Sequence, residues 1–217
     1  MTPSGALTTL FNFPQGSLNG TLVQALNGDF YGATFYDVSN CTACGTVFKM
    51  TPSGGLTTLY NSRDGFATAL IQATNGNLYG GTVPRSDSGT IFEVTSSGTL
   101  ATLYSFTDGE YPSGLVQDTN GTFYGTTPDT IFSFSVGLGP FVKTQTTSGQ
   151  VGAAINILGS DLTGTTSVTF NGTPATFTVV STSLVTTTVP ADATSGRVQV
   201  ITPGGTLSSN VPYRVGP

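Results

Sequence analysis

The two cysteines are the most reactive residues of this chain. Cys41 and Cys44 have the spacing of a zinc knuckle or of a redox motif. A zinc site needs two more ligands, and the chain contains no histidine. The pair also lies in a variable loop, not between a strand and a helix as in thioredoxin-like folds. The sequence therefore predicts a disulfide that staples a loop of an exported protein, with a free thiol pair as the alternative.

The carboxylates are weaker candidates for chemistry. Asp108 and Glu110 offer oxygen ligands for calcium, but Asp beside Gly or Pro usually serves local turn geometry. Glycoside hydrolysis needs paired carboxylates, and Glu93 and Glu110 are the only glutamates. Because neither a nucleophile with its base nor a metal cluster emerges, the sequence predicts no catalytic residue, no metal, no cofactor and no enzymatic activity.

Two further sets of residues recur in the sequence. Three tyrosines occupy one repeat position, which favours structural packing, with sugar stacking as the alternative: Tyr31, Tyr79 and Tyr124. Four asparagines lie in glycosylation sequons: Asn19, Asn40, Asn120 and Asn171. The last two belong to Asn-Gly turns, whose geometry explains them without a glycan.

A repeated unit must position these residues. Its three copies are residues 2–50, 51–94 and 95–134, and the first two begin with Thr-Pro-Ser-Gly. The spacing from the Gly of Tyr-Gly to the branched residue of the next strand falls from 15 (Gly32 to Val47) to 11 (Gly80 to Ile91) to 6 (Gly125 to Ile131). Length variation confined to one loop is typical of a stacked array with insertions on one face.

Each unit contains four short β-rich stretches. In the first they are Leu7–Phe11, Thr21–Gln24, Phe30–Thr34 and Thr46–Met50, with an Asn-Gly turn between the second and third. Asn-Gly favours a tight hairpin, and four antiparallel strands in 40 to 49 residues are the size of one propeller blade. The predicted fold class is all-β, with three four-stranded blade-like repeats; a β-trefoil-like closure is the alternative.

The repeats resemble a known family. The stretches Gly45–Tyr60 and Asn75–Thr82 are similar to the Gloeo/Verruco (GloVer) tandem repeat of exported bacterial proteins. The resemblance implies propeller-like sheets, export and a bacterial cell-surface or extracellular location. It supplies no catalytic residue.

A different domain follows the repeats. Residues 135–140 are rich in glycine and read as a linker, and residues 141–217 form the second domain. Motifs such as Ile155–Leu162, Val168–Ala175 and Ser195–Val200 resemble the IPT/TIG family of immunoglobulin-like domains over residues 138–215. The resemblance implies a β-sandwich that acts as a spacer or an adhesive module. Alternating strands with frequent turns in about 78 residues independently fit a small sandwich.

Composition excludes several partners. Only 8% of the 217 residues are charged, with a net charge of -5 and no basic cluster. Nucleic acid is excluded as a partner because phosphate binding needs a basic stripe. No apolar run approaches the roughly 18 residues of a membrane span. No signal peptide is recognisable after Met1, so we expect a removed leader or an upstream start.

The ends of the repeat array suggest self-association. The first unit opens without a preceding Thr-Val-Phe strand, and the third ends without a following Leu-Thr-Thr-Leu strand. An exposed strand edge needs a partner, and a head-to-tail contact that does not close produces a filament. The predicted assembly edges are Leu7, Thr8, Thr9, Leu10 and Phe11 at one end and Thr130, Ile131, Phe132, Ser133 and Phe134 at the other.

These observations predict an exported structural protein that forms a homopolymer through its β-edges and its sandwich. Sparse surface charge suits a protein that associates. The alternative is an adhesion module whose unequal loops bind surface glycans.

Overall fold

A computed structural model describes residues 5–13, 17–35, 45–62, 65–84 and 88–217 of the chain. The described residues form strands and turns, with no helix among them, so the all-β prediction is confirmed. The chain divides into two compact units: Met1–Val116 with Tyr124–Ser133, and Gln117–Phe123 with Phe134–Pro217.

Three antiparallel sheets correspond to the three repeats. The first contains β1 (Ser17–Gln24), β2 (Phe30–Phe35), β3 (Gly45–Met50) and β4 (Leu56–Ser62) in that spatial order. The second contains β5 (Gly65–Gln72), β6 (Leu78–Pro84), β7 (Thr90–Val94) and β8 (Leu100–Ser105). The third has three strands, β9 (Gly114–Gln117), β10 (Phe123–Thr126) and β11 (Ile131–Phe134), with β10 in the middle. The described residues form no closed barrel, so the trefoil-like alternative is not adopted.

Neighbouring repeats share their sheets. The outer strand of the first sheet, β4, is the Leu-Thr-Thr-Leu strand of the second repeat, and it pairs with β3 of the first repeat. In the same way β8, from the third repeat, completes the second sheet by pairing with β7. Each four-stranded sheet therefore takes three strands from one repeat and its outer strand from the next.

The Asn-Gly turns adopt the expected hairpin geometry. Gly28 and Gly76 have φ of 86° and 85°, a conformation that glycine adopts without steric cost. The Asn27 Oδ1 accepts a hydrogen bond of 3.1 Å from the Asp29 amide, and the Asn75 Oδ1 accepts the equivalent bond from Asn77. The side chain and the glycine together fix the start of β2 and of β6.

The first two sheets bury one common core. Tyr31, Ala33 and Val47 lie on one face of the first sheet, because side chains alternate along a strand and Ala33 is opposite Val47. They belong to one cluster with Leu70 and Phe92 of the second sheet. The face of the first sheet that carries Tyr31 and Val47 therefore packs against the face of the second sheet that carries Leu70 and Phe92.

Residues 5–13 do not form the strand predicted at Leu7–Phe11. The equivalent segments of the second and third repeats are the strands β4 and β8, and each pairs with a strand of the preceding repeat. The first repeat has no preceding repeat among the described residues. No strand of the described residues is paired with Leu7–Phe11.

The second unit is a β-sandwich. Its strands are β12 (Lys143–Thr144), β13 (Ser148–Gln150), β14 (Ala154–Leu158), β15 (Ser167–Phe170), β16 (Thr173–Pro174), β17 (Phe177–Ser181), β18 (Leu184–Thr188), β19 (Val198–Thr202), β20 (Gly205–Ser208) and β21 (Arg214–Gly216). Two four-stranded sheets have the orders β12-β14-β18-β17 and β16-β15-β19-β20, and β13 pairs with β21 in parallel. Alternate apolar residues fill the core, among them Ile157, Phe170, Val185, Val200 and Tyr213.

Candidate assembly surface

One position of the repeat is buried in the first and second sheets and exposed in the third. Val47 on β3 and Ile91 on β7 are each 2% exposed, whereas the equivalent Ile131 on β11 is 80% exposed. The three residues have nearly the same side chain and the same place in the repeat, but β3 and β7 are inner strands of their sheets and β11 is an outer strand. The difference therefore arises from the strands and sheets around each residue and not from the repeat itself.

The exposed position belongs to an apolar face of the third sheet. Val116 and Tyr124 are also more than two-fifths exposed, whereas Tyr31 and Tyr79, the equivalents of Tyr124, are buried. A shallow cavity of about 260 Å³ lies on this face. Its lining is Gly114, Leu115, Val116, Tyr124, Gly125, Thr126 and Ile131. The face corresponds to the one that packs against a neighbouring sheet in the first repeat.

The strand at this end is also an edge. β11 is the outermost strand of its sheet, and no fourth strand lies beside it within the described part of the chain. Of the predicted edge residues, Ile131, Phe132, Ser133 and Phe134 form β11. Thr130 lies in the preceding turn, where its amide donates to the Thr127 Oγ1 at 2.9 Å and its carbonyl accepts from the Thr127 amide.

The other end of the array carries the segment 5–13. Leu7, Leu10 and Phe11 are 88%, 48% and 40% exposed. The segment is nevertheless held in place: a Cβ on Gly54 would lie 2.8 Å from the carbonyl oxygen of Leu10. A Cβ on Gly98 would lie 2.9 Å from the same atom of Leu59 on β4. The segment therefore lies beside the second repeat's turn as β4 lies beside the third repeat's turn.

A side chain that the sequence did not single out marks this end. Leu22 on β1 is 47% exposed, whereas its equivalent on β5, Leu70, is 8% exposed and packs in the common core. The signal was present in the repeat alignment, because both residues precede a branched residue and a Gln. Whether the leucine is buried depends on whether a neighbouring sheet covers its face, and the repeat alignment does not contain that information.

The repeated tyrosines serve the packing of the first two sheets. The Tyr79 hydroxyl donates to the Glu93 Oε1 at 2.7 Å, and the Asn75 Nδ2 donates to the Tyr79 oxygen at 2.9 Å. Asn77 donates a second hydrogen bond to the same oxygen of Glu93. Burial, followed by the bond to Glu93, raises the pKa of Tyr79 to about 12. Because Tyr31 and Tyr79 are buried, their rings are not available for sugar stacking.

The first repeat has a related network with different charges. The Asn27 Nδ2 donates to the Asp29 Oδ2 at 3.0 Å and to the Tyr31 hydroxyl at 3.2 Å. Lys49, which occupies the position of Glu93, forms an ion pair of 3.5 Å with Asp29. The charged side chains of both repeats therefore support the tyrosine.

The acidic turn does not assemble a ligand set among the described residues. Asp108 has φ of 57°, and its carboxylate accepts a hydrogen bond from the Thr107 hydroxyl, as in local turn chemistry. The Glu110 Oε2 is buried without a hydrogen-bond partner. In the described ranges no three Cys, His, Asp or Glu side chains converge on a metal-sized site.

Three of the four sequon asparagines lie in turns or strands that the structure describes. The Asn120 Oδ1 accepts a hydrogen bond from the Thr122 amide, and the Asn171 Nδ2 donates to the Thr194 hydroxyl at 2.9 Å. The backbone of Asn19 pairs with Ala33 in the first sheet. Asn40, Cys41 and Cys44 lie outside the described residues.

The described residues contain no helix with the length and apolarity to span a bilayer.

Some of the solved structures that the chain resembles are enzymes. A structure reported as a candidate gluconolactonase has 13% identity and a TM-score of 0.44, over 86% of this chain and 64% of its own. A luciferin-regenerating enzyme has 12% identity and a TM-score of 0.44, over 94% of this chain and 66% of its own. A streptogramin B lyase has 13% identity and a TM-score of 0.42, over 95% and 72%. The chain thus spans less than two thirds of the first two.

These likenesses correct the prediction that the chain is not an enzyme. That prediction rests on the lack of a nucleophile with its base and of a metal cluster, and it is contradicted because enzymes are among the structures that the chain resembles. At such identities and TM-scores the likeness assigns no reaction, substrate or catalytic residue to this chain. No curated protein matches it.

The second unit has a family match of its own. Residues 140–215 match the model of the IPT/TIG domain. The match agrees with the two-sheet sandwich and its buried core, and it covers the C-terminal part of the chain alone. The C-terminal part of this chain, residues 140–215, is an IPT/TIG domain.

Proposed function

We propose that this chain is a structural subunit that assembles head to tail, through the two ends of its repeat array and with its sandwich as a connector, into an exported filament or surface polymer. The observation that carries the proposal is the contrast at one repeat position: Ile131 is 80% exposed where Val47 and Ile91 are 2% exposed.

Burial of apolar surface is the first source of the assembly energy. Covering Ile131 and Leu22 to the level of their equivalents stabilises a contact by about 1.5–3 kcal/mol for each side chain that becomes fully buried. The gain applies to two different surfaces of one chain. Such a heterologous contact repeats from one copy to the next.

Backbone pairing is the second source. The edge of β11 presents peptide groups that a further strand can pair with, and edge-to-edge addition of a strand is a common mode of association. Proteins that remain separate commonly protect such edges with charged side chains, especially lysine. The segment Thr130–Phe134 contains none.

The remaining elements of the proposal have different support. With 8% charged residues, the surface offers little electrostatic repulsion between copies. The sandwich has its own edge strand, β17, through which it would connect neighbouring copies. Export and a bacterial cell-surface location rest on the resemblance of the repeats to GloVer proteins.

Electron microscopy of the purified chain tests the proposal. We expect polymers with an axial repeat set by one subunit, whose length increases with protein concentration. A matched variant, Ile131→Asp, places a charge on the third sheet, and it should remain dispersed. Dispersed wild-type monomers at every concentration under native conditions would contradict the proposed function.

A further inference from the structure

The two internal junctions define one pairing register. Where β3 pairs with β4, Val47 is opposite Tyr60 and Phe48 is opposite Thr58, so Leu59 is bulged out. Where β7 pairs with β8, the equivalent residues pair with the same bulge, at Leu103. The register is identical although the two loops that precede β3 and β7 differ in length. The repeat motifs themselves therefore specify the register.

The same motifs occur at the two ends of the array. Residues 130–132, at the start of β11, repeat the Thr-Ile-Phe of β7 and correspond to the Thr-Val-Phe of β3, and residues 7–11 carry the Leu-Thr-Thr-Leu-aromatic motif of β4. An arrangement that forms at both internal junctions has the same residues available at the ends. A strand that pairs with β11 would contact the same types of residue that β4 contacts on β3 and β8 contacts on β7.

One chain does not bring its own two motifs together. The Leu10 carbonyl lies against Gly54, and the Phe13 ring packs 5.3 Å from the Phe48 ring in the first sheet. The third sheet makes the equivalent aromatic contact with β8's end: Phe106 lies 5.4 Å from Phe132. The segment 5–13 is thus docked at the first sheet, while β11 belongs to the third.

We infer that a second copy of this chain supplies residues 7–12 as the fourth, antiparallel strand of the third sheet, in the register of the internal junctions. Ile131 then lies opposite Phe11, Phe132 opposite Thr9, Ser133 opposite Thr8 and Phe134 opposite Leu7, with Leu10 in the bulge. The inference rests on the proposed head-to-tail assembly and names the partner, the strand and the register.

The segment already makes one of the two contacts that this arrangement requires. β4 pairs with β3 along one edge, while its Leu59 lies against Gly98 in the turn between β7 and β8. Residues 7–12 already have the second of these two contacts, between Leu10 and Gly54. Addition to β11 would form the first. The segment is therefore already held beside the first sheet, which lowers the entropy lost on binding.

The sheet faces agree with this placement. In the internal interface, Leu70 of the second sheet packs in the core formed with Tyr31 and Val47 of the first. Across the two copies the equivalent residue is Leu22, and the equivalent surface is the 260 Å³ cavity beside Tyr124 and Ile131. An exposed leucine and an exposed apolar cavity thus fall opposite each other when the strands pair.

Site-directed disulfides test the register. In a Cys41→Ser, Cys44→Ser background, the pair Thr8→Cys with Ser133→Cys places two thiols directly opposite each other, and so does Asn12→Cys with Thr130→Cys. Opposite residues have Cβ atoms about 4.5–5.5 Å apart, so modest adjustment allows a disulfide. The control, Thr9→Cys with Ser133→Cys, is shifted by one residue and points the thiols to opposite faces.

The expected result is a ladder of covalent multimers after mild oxidation of either matched pair, with at least tenfold less cross-linking in the control. Polymers seen by microscopy with equal or absent cross-linking in all three would overturn the register and leave the proposed function standing. A disulfide within single chains would overturn the need for a second copy. Closed covalent dimers would support the register while contradicting the proposed polymer.

Discussion

The ring of Phe92 lies over the backbone of Gly80 on the neighbouring strand, so that a Cβ on Gly80 would lie 2.7 Å from the Phe92 Cζ. The same relationship holds in the first sheet, where a Cβ on Gly32 would lie 2.6 Å from the Phe48 Cζ. Glycine in a strand weakens it, and an aromatic ring packed across the strand pair compensates. The Tyr-Gly and Thr-Ile-Phe motifs are therefore two halves of one packing unit.

This relationship predicts the effect of a single methyl group. Gly80→Ala should lower the free energy of unfolding of the repeat unit by about 1–3 kcal/mol, because the Phe92 ring must leave its position. The measurement is the midpoint of urea denaturation. The control is Gly139→Ala, at a glycine with negative φ and no atom within 4 Å of the added Cβ. Equal midpoints for the two variants would contradict the packing role.

The hydroxyl of Tyr79 provides a second prediction. Its folded-state pKa of about 12 exceeds the value of about 10 for a tyrosine in an unfolded chain. Its contribution to stability is therefore complete below pH 10 and is lost as the pH rises through 12. Wild-type protein should lose unfolding free energy over this range, and Tyr79→Phe should lose less.

Unfolding measured between pH 9 and 12 checks this sign. Tyr104→Phe is the matched control for the loss of a hydroxyl, because the Tyr104 ring is 55% exposed. Burial also raises the pKa of Tyr213 in the sandwich, so Tyr213→Phe separates that unit's contribution. An unchanged alkaline slope in Tyr79→Phe would mean that the hydrogen bond to Glu93 does not hold the proton in the folded state.

Much of the repeat fold could be predicted from local sequence. The Asn-Gly turns locate the hairpins because glycine with positive φ and the Asn side chain act within a few residues. Gly28 and Gly76 confirm this. The alternation of Tyr31 and Ala33 likewise identifies the face that is buried, because a strand's side-chain period is two.

The state of the array's ends could not be predicted in the same way. Leu7–Phe11 and Leu56–Tyr60 have almost the same sequence, yet only the second is in a strand, because among the described residues only the second is paired with a neighbouring strand. Ile131 and Ile91 differ in burial for the same reason. Pairing and coverage depend on neighbours and not on the motif, so local patterns left Leu22 and Val116 unnoticed.

In the proposed assembly the two ends of the repeat array are different and complementary. Ile131→Asp blocks one end and leaves the Leu22 end intact, whereas Leu22→Asp does the reverse. Because Ile131 is 80% exposed, we expect its substitution to change monomer stability by no more than about 0.5 kcal/mol. Val151→Asp, at an exposed residue of the sandwich, is the control and should assemble like wild type.

The decisive measurement is the light-scattering mass of the two blocked variants, alone and mixed in equal amounts. We predict that each variant alone stays at the 22.2 kDa of one chain and that the mixture forms a complex of one copy of each, with no larger species. The intact Leu22 end of one variant binds the intact Ile131 end of the other, and both remaining ends are blocked. A mixture that stays monomeric, or a blocked variant that polymerises alone, would contradict the account.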